Sequence, residues 1–394
     1  MKKVLIFSLA YYPHVGGAEV ALKEITDRIS DIEFHMLTLN FGGEAAEEKI
    51  GNVLVHRVGN GQSYFQKILF IPRAAAVAAR LHRIQHFDAF WAMMSYMLFP
   101  IVLLRFMDLR CPYILTLQEG DPFSYTFNRW FILPFRPFLR IGFKNASAVH
   151  AISTYLAQWA KKMGYQGETL IIPNGVDTVL FANVGHRKSY IARKETPRSE
   201  EAPYDEESPY RTTLVTTSRL VHKNAIDDVI RALAFLPENI HFIIYGIGPD
   251  ESELKALAKK LNVERRVEFM GHIDHDALPR VLSESDIFIR PSRSEGMGNS
   301  FIEAMAAGLP VIATQEGGIV DFLFDAVRNP DKETTGWAVK KDSPEQIAEA
   351  VQDILAHPEQ VARVTAIAKK LVTEKYDWNL IAEQMRSLFV TLSV

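Results

Sequence analysis

A chain of 394 residues is longer than one hydrophobic core organises, so two domains are expected. Hydrophobic residues at 48% and charged residues at 23% exclude a largely disordered chain, and a net charge of -3 argues against bulk nucleic-acid binding. The single cysteine, Cys111, excludes an internal disulfide, so the composition does not call for an oxidising compartment.

In chain order, the opening "MKKVLIFSLA" places lysines before an apolar run, as a signal peptide would. The run is short and no convincing cleavage site follows, so it reads as a buried first strand over 2–9. Further strands are expected at 33–39, 54–58, 89–94, 113–117, 148–153 and 169–174. The apolar stretch 89–106 approaches membrane-spanning length, but the change of period after Met94 and the proline at 100 divide it into a strand and a buried or interfacial helix. Residues 186–210 are rich in charge and proline and poor in apolar side chains, the composition of an exposed linker or insertion. Beyond it, strands are expected at 212–218, 240–246, 267–271, 286–290 and 310–314, separated by helical patterns such as "ESELKALAKKL". At 376–392, Trp378, Ile381, Met385 and Leu388 form one apolar stripe at helical spacing, which needs a surface to cover it.

Strands alternating with helices predict an α/β chain of two Rossmann-like, doubly wound parallel-sheet domains facing a central cleft. The expected division is 1–180, a linker or charged insertion at 181–211, a second domain at 212–375 and a terminal helix at 376–394. Ligands of such sheets bind beyond the carboxyl ends of the strands, so site motifs belong in the loops that follow them.

The most informative loop follows the strand at 286–290. Its glycine-bearing turn leads into a helix expected from about Ser300 to Gly308, and free N–H groups at such a helix start favour an anion, with phosphate the obvious candidate. Glu303 fits an S-x-x-E capping box with Ser300. Glu295 is harder to account for, because a carboxylate beside an anion site is unfavourable unless it reaches past the anion to hydroxyl groups. Two carboxylates flanking an anion site suit a ligand both phosphorylated and rich in hydroxyls, a nucleotide sugar. Arg219 and Lys223 leave the first strand of the second domain just before a helix and could neutralise a departing diphosphate, or could be ordinary solvated cations. Gly16 and Gly17 follow the first strand and permit close approach of backbone to a ligand, or simply make a tight turn. "YGIGPDESEL" (245–254) carries part of a dinucleotide fingerprint through Gly246 and Gly248, but Glu251 stands where the third glycine would, which excludes NAD.

The combination of "GGAE", "PNGVD", "SRLVHK", "YGIGP", "FMGHI" and "RPSRSEGMGNSFIEAMAAGLPVIAT" resembles the family-4 retaining glycosyltransferases of the GT-B fold, over nearly the whole chain and most strongly from 212 to 323. The resemblance implies that Glu303 binds the nucleotide ribose hydroxyls and Glu295 those of the donor sugar. Arg219 and Lys223 hold the diphosphate with the backbone near Gly16 and Gly17 and the amides of Met297, Gly298 and Asn299. Backbone around Gly246, His272 and Ile273 is expected on the nucleotide, and the terminal helix is expected to cross back to the first domain. It further implies a hexose donor activated as a UDP- or GDP-sugar, no cofactor, no metal, and a glycan or lipid-linked acceptor in cell-surface glycan synthesis. A GT-B sugar-nucleotide epimerase or a catalytically silent sugar-nucleotide-binding protein are the alternatives; a phosphorylase would need a pyridoxal-phosphate lysine that is not identifiable. Two departures stand out: Gln118 occupies the place where many relatives carry a histidine, and Lys223 follows Arg219 by four residues where five or more are usual.

The acceptor side belongs to the first domain. Residues 60–145 carry ten Lys and Arg against four acids, interleaved with aromatics as in "FSYTFNRWFILPFRPFLR" (123–140). That pattern suits either a solvated basic face or peripheral contact with anionic lipid on the inner face of the membrane.

Overall fold

The computed structural model describes residues 1–182 and 211–392. The charged segment expected as a linker therefore lies, from 183 to 210, outside the described residues.

The chain divides into two compact units, Met1–Gly175 together with Trp378–Val394, and Val176–Asp377. In unit 1 the elements are β1 (Lys2–Phe7), α1 (Gly17–Asp27), β2 (Ile32–Leu39), β3 (Glu47–Ile50), β4 (Val53–Val58), α2 (Tyr64–Gln85), β5 (Ala89–Met93), α3 (Leu98–Phe106), β6 (Tyr113–Leu117), α4 (Phe123–Phe127), α5 (Arg136–Lys144), β7 (Ala148–Ala151), α6 (Thr154–Met163) and β8 (Thr169–Ile171). Among the described residues of unit 1 the strands lie in the order β3-β4-β2-β1-β5-β6-β7-β8, parallel throughout except for the edge pair β3 and β4. The polar β3 segment "EEKI" has no apolar alternation, and it forms a strand only because it pairs back along the edge of β4.

Unit 2 contains α7 (Thr178–Ala182), β9 (Thr212–Thr217), α8 (Ile226–Ala232), β10 (Ile240–Tyr245), α9 (Glu251–Lys260), β11 (Val267–Gly271), α10 (Leu278–Ser283), β12 (Ile287–Arg290), α11 (Asn299–Ala306), β13 (Val311–Ala313), β14 (Trp337–Ala338), α12 (Pro344–Ala356) and α13 (Pro358–Lys375). Its strands are all parallel in the order β11-β10-β9-β12-β13-β14. The last helix, α14 (Trp378–Thr391), belongs to unit 1.

Strand runs such as "VLIF" and "AFWAM" are apolar at every position because helices cover both faces of each sheet. The 89–106 stretch resolves as β5 followed by α3. Met94, at φ 69°, turns the chain out of the strand, and Pro100 sits in the first turn of α3, where no N–H partner is lost. Among the described residues no helix is long and apolar enough to cross a membrane.

Helix ends follow local chemistry. The Ser153 hydroxyl accepts the Leu156 N–H at 3.3 Å to start α6, and left-handed Gly164 ends it. Helix α14 lays Trp378, Ile381, Met385 and Phe389 into the unit 1 core, with Phe389 edge-on to Phe34 and Trp91. Arg386 pairs with Asp31 at 2.7 Å beside it.

Candidate functional site

Each sheet has one place where the strand order reverses: between β1 and β5 in unit 1, and between β9 and β12 in unit 2. Neighbouring loops diverge there and leave a crevice at the carboxyl ends. Of the predicted residues, Gly16 and Gly17 follow β1, Arg219 and Lys223 follow β9, and Glu295, Met297, Gly298, Asn299 and Glu303 follow β12, whereas Gln118, Gly246, His272 and Ile273 follow β6, β10 and β11; each unit is described by itself.

In unit 2, β12 ends at Arg290 and α11 begins at Asn299. The intervening loop turns at Gly298, φ 88°, where a Cβ would come within 2.6 Å of both the Arg290 guanidinium and the Phe301 ring. A side chain there would displace the cation that organises the loop. Glu295 accepts from Arg290 Nη2 at 2.8 Å and from the Gly296 N–H at 3.0 Å. Arg290 is buried, its guanidinium lies 4.2 Å over the Phe301 ring, and burial disfavours its charge while Glu295 and Glu303 sustain it. Glu303, the fifth residue of α11 and buried, meets His275 Nε2 at 3.3 Å. The S-x-x-E capping box does not form: α11 is capped by Gly298, and the Ser300 hydroxyl has no partner among the described residues. Met297 is buried beneath this loop, and Asn299 opens the helix.

The β9 loop carries Arg219, which is exposed, and Lys223, in a 3₁₀ turn. Asn224 Nδ2 donates to the Arg219 carbonyl at 2.6 Å and fixes the turn. The two loops are joined by Arg293, which bonds Asp227 and Asp228 at 2.8 Å each, Asp342 at 2.6 Å and the His222 carbonyl at 2.7 Å, while its own N–H donates to the Lys223 carbonyl at 2.7 Å. Against the pull of burial, Arg293 and Arg231 hold Asp227 below the usual carboxylate range. The cation-bearing and carboxylate-bearing loops thus form one rigid piece.

Gly246, after β10, lies so close to the Ser218 carbonyl that a Cβ would clash with it. The glycine lets the β9 and β10 loops approach. After β11, His272 is exposed with Asp274 3.5 Å away, and Ile273 is half-buried. Near the switch point Thr217 Oγ1, Arg290 Nε, Ser292 Oγ and Ser300 Oγ are buried without a hydrogen-bond partner among the described residues. Buried polar atoms rarely stay unpaired, so this concentration marks a place prepared for a polar ligand.

In unit 1 the Gly16 N–H is taken by Glu19 Oε2 at 2.8 Å, and Gly17 opens α1. Gln118, buried at the end of β6, donates to the Gly17 carbonyl at 3.2 Å, so it ties the glycine turn to the neighbouring strand. Beside it, Glu119 accepts from the Gln118 N–H at 2.9 Å and from the Ser95 N–H at 2.6 Å, and it also accepts the Ser95 hydroxyl. Burial raises its carboxyl above the usual range, opposed by those bonds. Sequence reasoning missed Arg290, Arg293, His275 and Glu119. Among these, the Arg290 signal was available: a cation closing the otherwise apolar run "IFIR".

The sequence profile of Glycosyltransferase Family 4 matches residues 15–180, and that of Glycosyl transferases group 1 matches residues 200–371. The chain belongs to the family-4 glycosyltransferases of the GT-B fold. This glycosyltransferase is 23% identical over 391 residues to an uncharacterized glycosyltransferase of Methanocaldococcus jannaschii, covering 99% of each chain. It is 29% identical over 268 residues, 65% of each chain, to a GDP-mannose-dependent alpha-(1-6)-phosphatidylinositol monomannoside mannosyltransferase of Mycobacterium tuberculosis. Its fold matches sucrose-phosphate synthase of Thermosynechococcus elongatus with a TM-score of 0.82 at 19% identity, over 100% of this chain and 99% of the other. It also matches HepE of Anabaena in complex with UDP and glucose, with a TM-score of 0.76 at 20% identity, over 99% and 100% of the two chains.

Proposed function

We propose that this glycosyltransferase is a retaining, metal-independent enzyme that moves a hexose from a UDP- or GDP-sugar to a glycan or lipid-linked acceptor in cell-surface glycan synthesis, working at the inner face of the membrane. The observation that carries the reading is the pair of carboxylates on either side of the α11 amino terminus, Glu295 held by Arg290 and Glu303 facing His275. A diphosphate suits the N–H groups at that terminus, and carboxylates on both sides suit hydroxyl groups at both ends of the same ligand. In this reading Glu303 grips the ribose and Glu295 the sugar. The nucleotide-sugar donor agrees with the GDP-mannose dependence of the mycobacterial relative and the UDP in the Anabaena complex.

Negative charge grows on the phosphate as the anomeric bond breaks. Arg219, Lys223 and the N–H groups of Met297, Gly298 and Asn299 would stabilise it, each donor contributing on the order of 3 kcal/mol. Gln118 does not titrate, so its part is to hold the Gly17 turn, with attack on the same face assisted by the leaving phosphate. A thermal-shift panel of UDP, GDP, ADP and their sugars identifies the donor, because a ligand that binds only the native state raises its melting temperature. Product anomeric configuration read by NMR, and activity after chelation, test retention and metal independence. Binding without release of nucleoside diphosphate in the presence of glycan or lipid-linked acceptors would instead indicate a silent binding protein.

A further inference from the structure

We propose that the face of unit 1 built from α4, α5 and the carboxyl end of α3 docks on a membrane surface bearing anionic phosphate headgroups. Large apolar side chains stand out from it: Trp130 is 82% exposed, Phe106 65%, and Phe135, Met107 and Tyr125 more than half. They are not scattered. Phe106 meets Phe138 at 5.4 Å, Phe138 and Phe135 both meet Phe99, and Phe99 stacks on Tyr96, whose hydroxyl accepts from Arg129 at 3.3 Å. A connected exposed patch of this kind marks an interaction site.

Charge decides the partner. From Pro122 to Gly167 the sequence contains no Asp or Glu, while Arg129, Arg136, Arg140, Lys144, Lys161 and Lys162 fall in the same span. Arg129 lies 4.3 Å from the Tyr125 ring and 4.9 Å from the Phe131 ring, and Arg136 lies 5.7 Å from Phe123. Both Nε atoms are buried without a hydrogen-bond partner among the described residues, and the side-chain acceptors these guanidinium groups do have are neutral, the Tyr96 hydroxyl for Arg129 and the Asn128 amide oxygen for Arg136. Guanidinium groups braced on rings and lacking carboxylates present their donors to phosphate oxygens. A second copy of the chain would bring an equally cationic face and be repelled. Tryptophan and phenylalanine beside arginine suit the boundary between headgroups and acyl chains, where ring and cation are both accommodated.

The test is sedimentation of the full chain with phosphatidylcholine vesicles, with and without phosphatidylglycerol, at low and high salt. Binding is expected only with phosphatidylglycerol and is expected to weaken with salt. Arg136→Gln, Arg140→Gln and Lys144→Gln should each lower the partition coefficient about fivefold. Trp130→Ser should lower it about tenfold and leave the salt dependence in place. Unchanged melting temperatures and unchanged nucleotide-induced thermal shifts in these variants would separate a failure here from a failure of the donor reading. Three results overturn the proposal: equal binding to neutral vesicles, no binding at either salt, or binding by the variants equal to that of the parent chain. A concentration-dependent dimer abolished by Trp130→Ser would assign the face to a second copy instead.

Discussion

Glu295 and Glu303 sit in one motif but in different surroundings, and their variants should fail in different ways. If Glu303 grips the ribose as proposed, Glu303→Ala removes an acceptor for two hydroxyls and is expected to weaken nucleoside diphosphate binding about tenfold to a hundredfold by calorimetry, the value of one to two charge-assisted hydrogen bonds. Arg290→Met leaves that affinity nearly unchanged but frees the Glu295 carboxylate from its 2.8 Å partner, so kcat should fall at least about tenfold. Equal losses of affinity in both variants would mean that Arg290 serves the nucleotide directly. Cys111 gives a simpler expectation. It is buried against the Phe87 carbonyl, and burial raises its thiol to about 12, so a disulfide reagent at neutral pH should modify it only when the chain unfolds. Modification within seconds in native buffer would contradict its burial. The two glutamates were legible because their spacing about a glycine turn is local. Arg293 was not, because its partners Asp227 and Asp342 lie 66 and 49 positions away and only the loop geometry brings them together.

Strand β7 holds the clearest acid-sensitive element. His150 Nε2 donates to the Ile172 carbonyl at 2.7 Å and Nδ1 accepts from Thr116 Oγ1 at 2.9 Å, while Thr116 itself accepts the Trp91 indole N–H at 2.7 Å. This run of bonds fixes a neutral ring, and burial lowers the imidazole to about 4. Between that value and the ordinary 6.5 the unfolded chain binds a proton that the folded chain refuses. The contribution is therefore whole above pH 6.5 and lost as pH falls toward 4, by up to about 3 kcal/mol. Urea midpoints measured across this range should decline, and His150→Gln should flatten that part of the decline; an identical slope in the variant would place the sensitivity elsewhere. The β7 strand itself was readable from "AVHAIS" because apolar neighbours and a following Ser153 cap agree. The edge strand β3 was not, since charged residues pair there only because β4 offers an open edge.

At the scale of the molecule, the two-sheet architecture was legible because the apolar runs, apart from the long stretch 89–106 that Pro100 and a change of period divide, are short and bounded by turn residues, which points to parallel βα units. The switch points were not: the strand order around β1 and β9 depends on packing that no local pattern encodes. Helix α14 completes the core of unit 1 with Trp378, which is 1% exposed, and with Phe389. Trp378→Ala is expected to cost about 3–5 kcal/mol and to split urea unfolding into two transitions, unit 1 melting first while unit 2 still answers nucleotide. A single unshifted transition would show that α14 contributes little. The sheet translated first waits for a wall that the ribosome delivers only after the second unit, whereas the sheet translated second comes from one uninterrupted stretch of chain. Synthesis and completion therefore run in opposite orders, and an elongating chain stalled before residue 378 would expose the Trp91 side of its first sheet to chaperones while its second sheet was already closed.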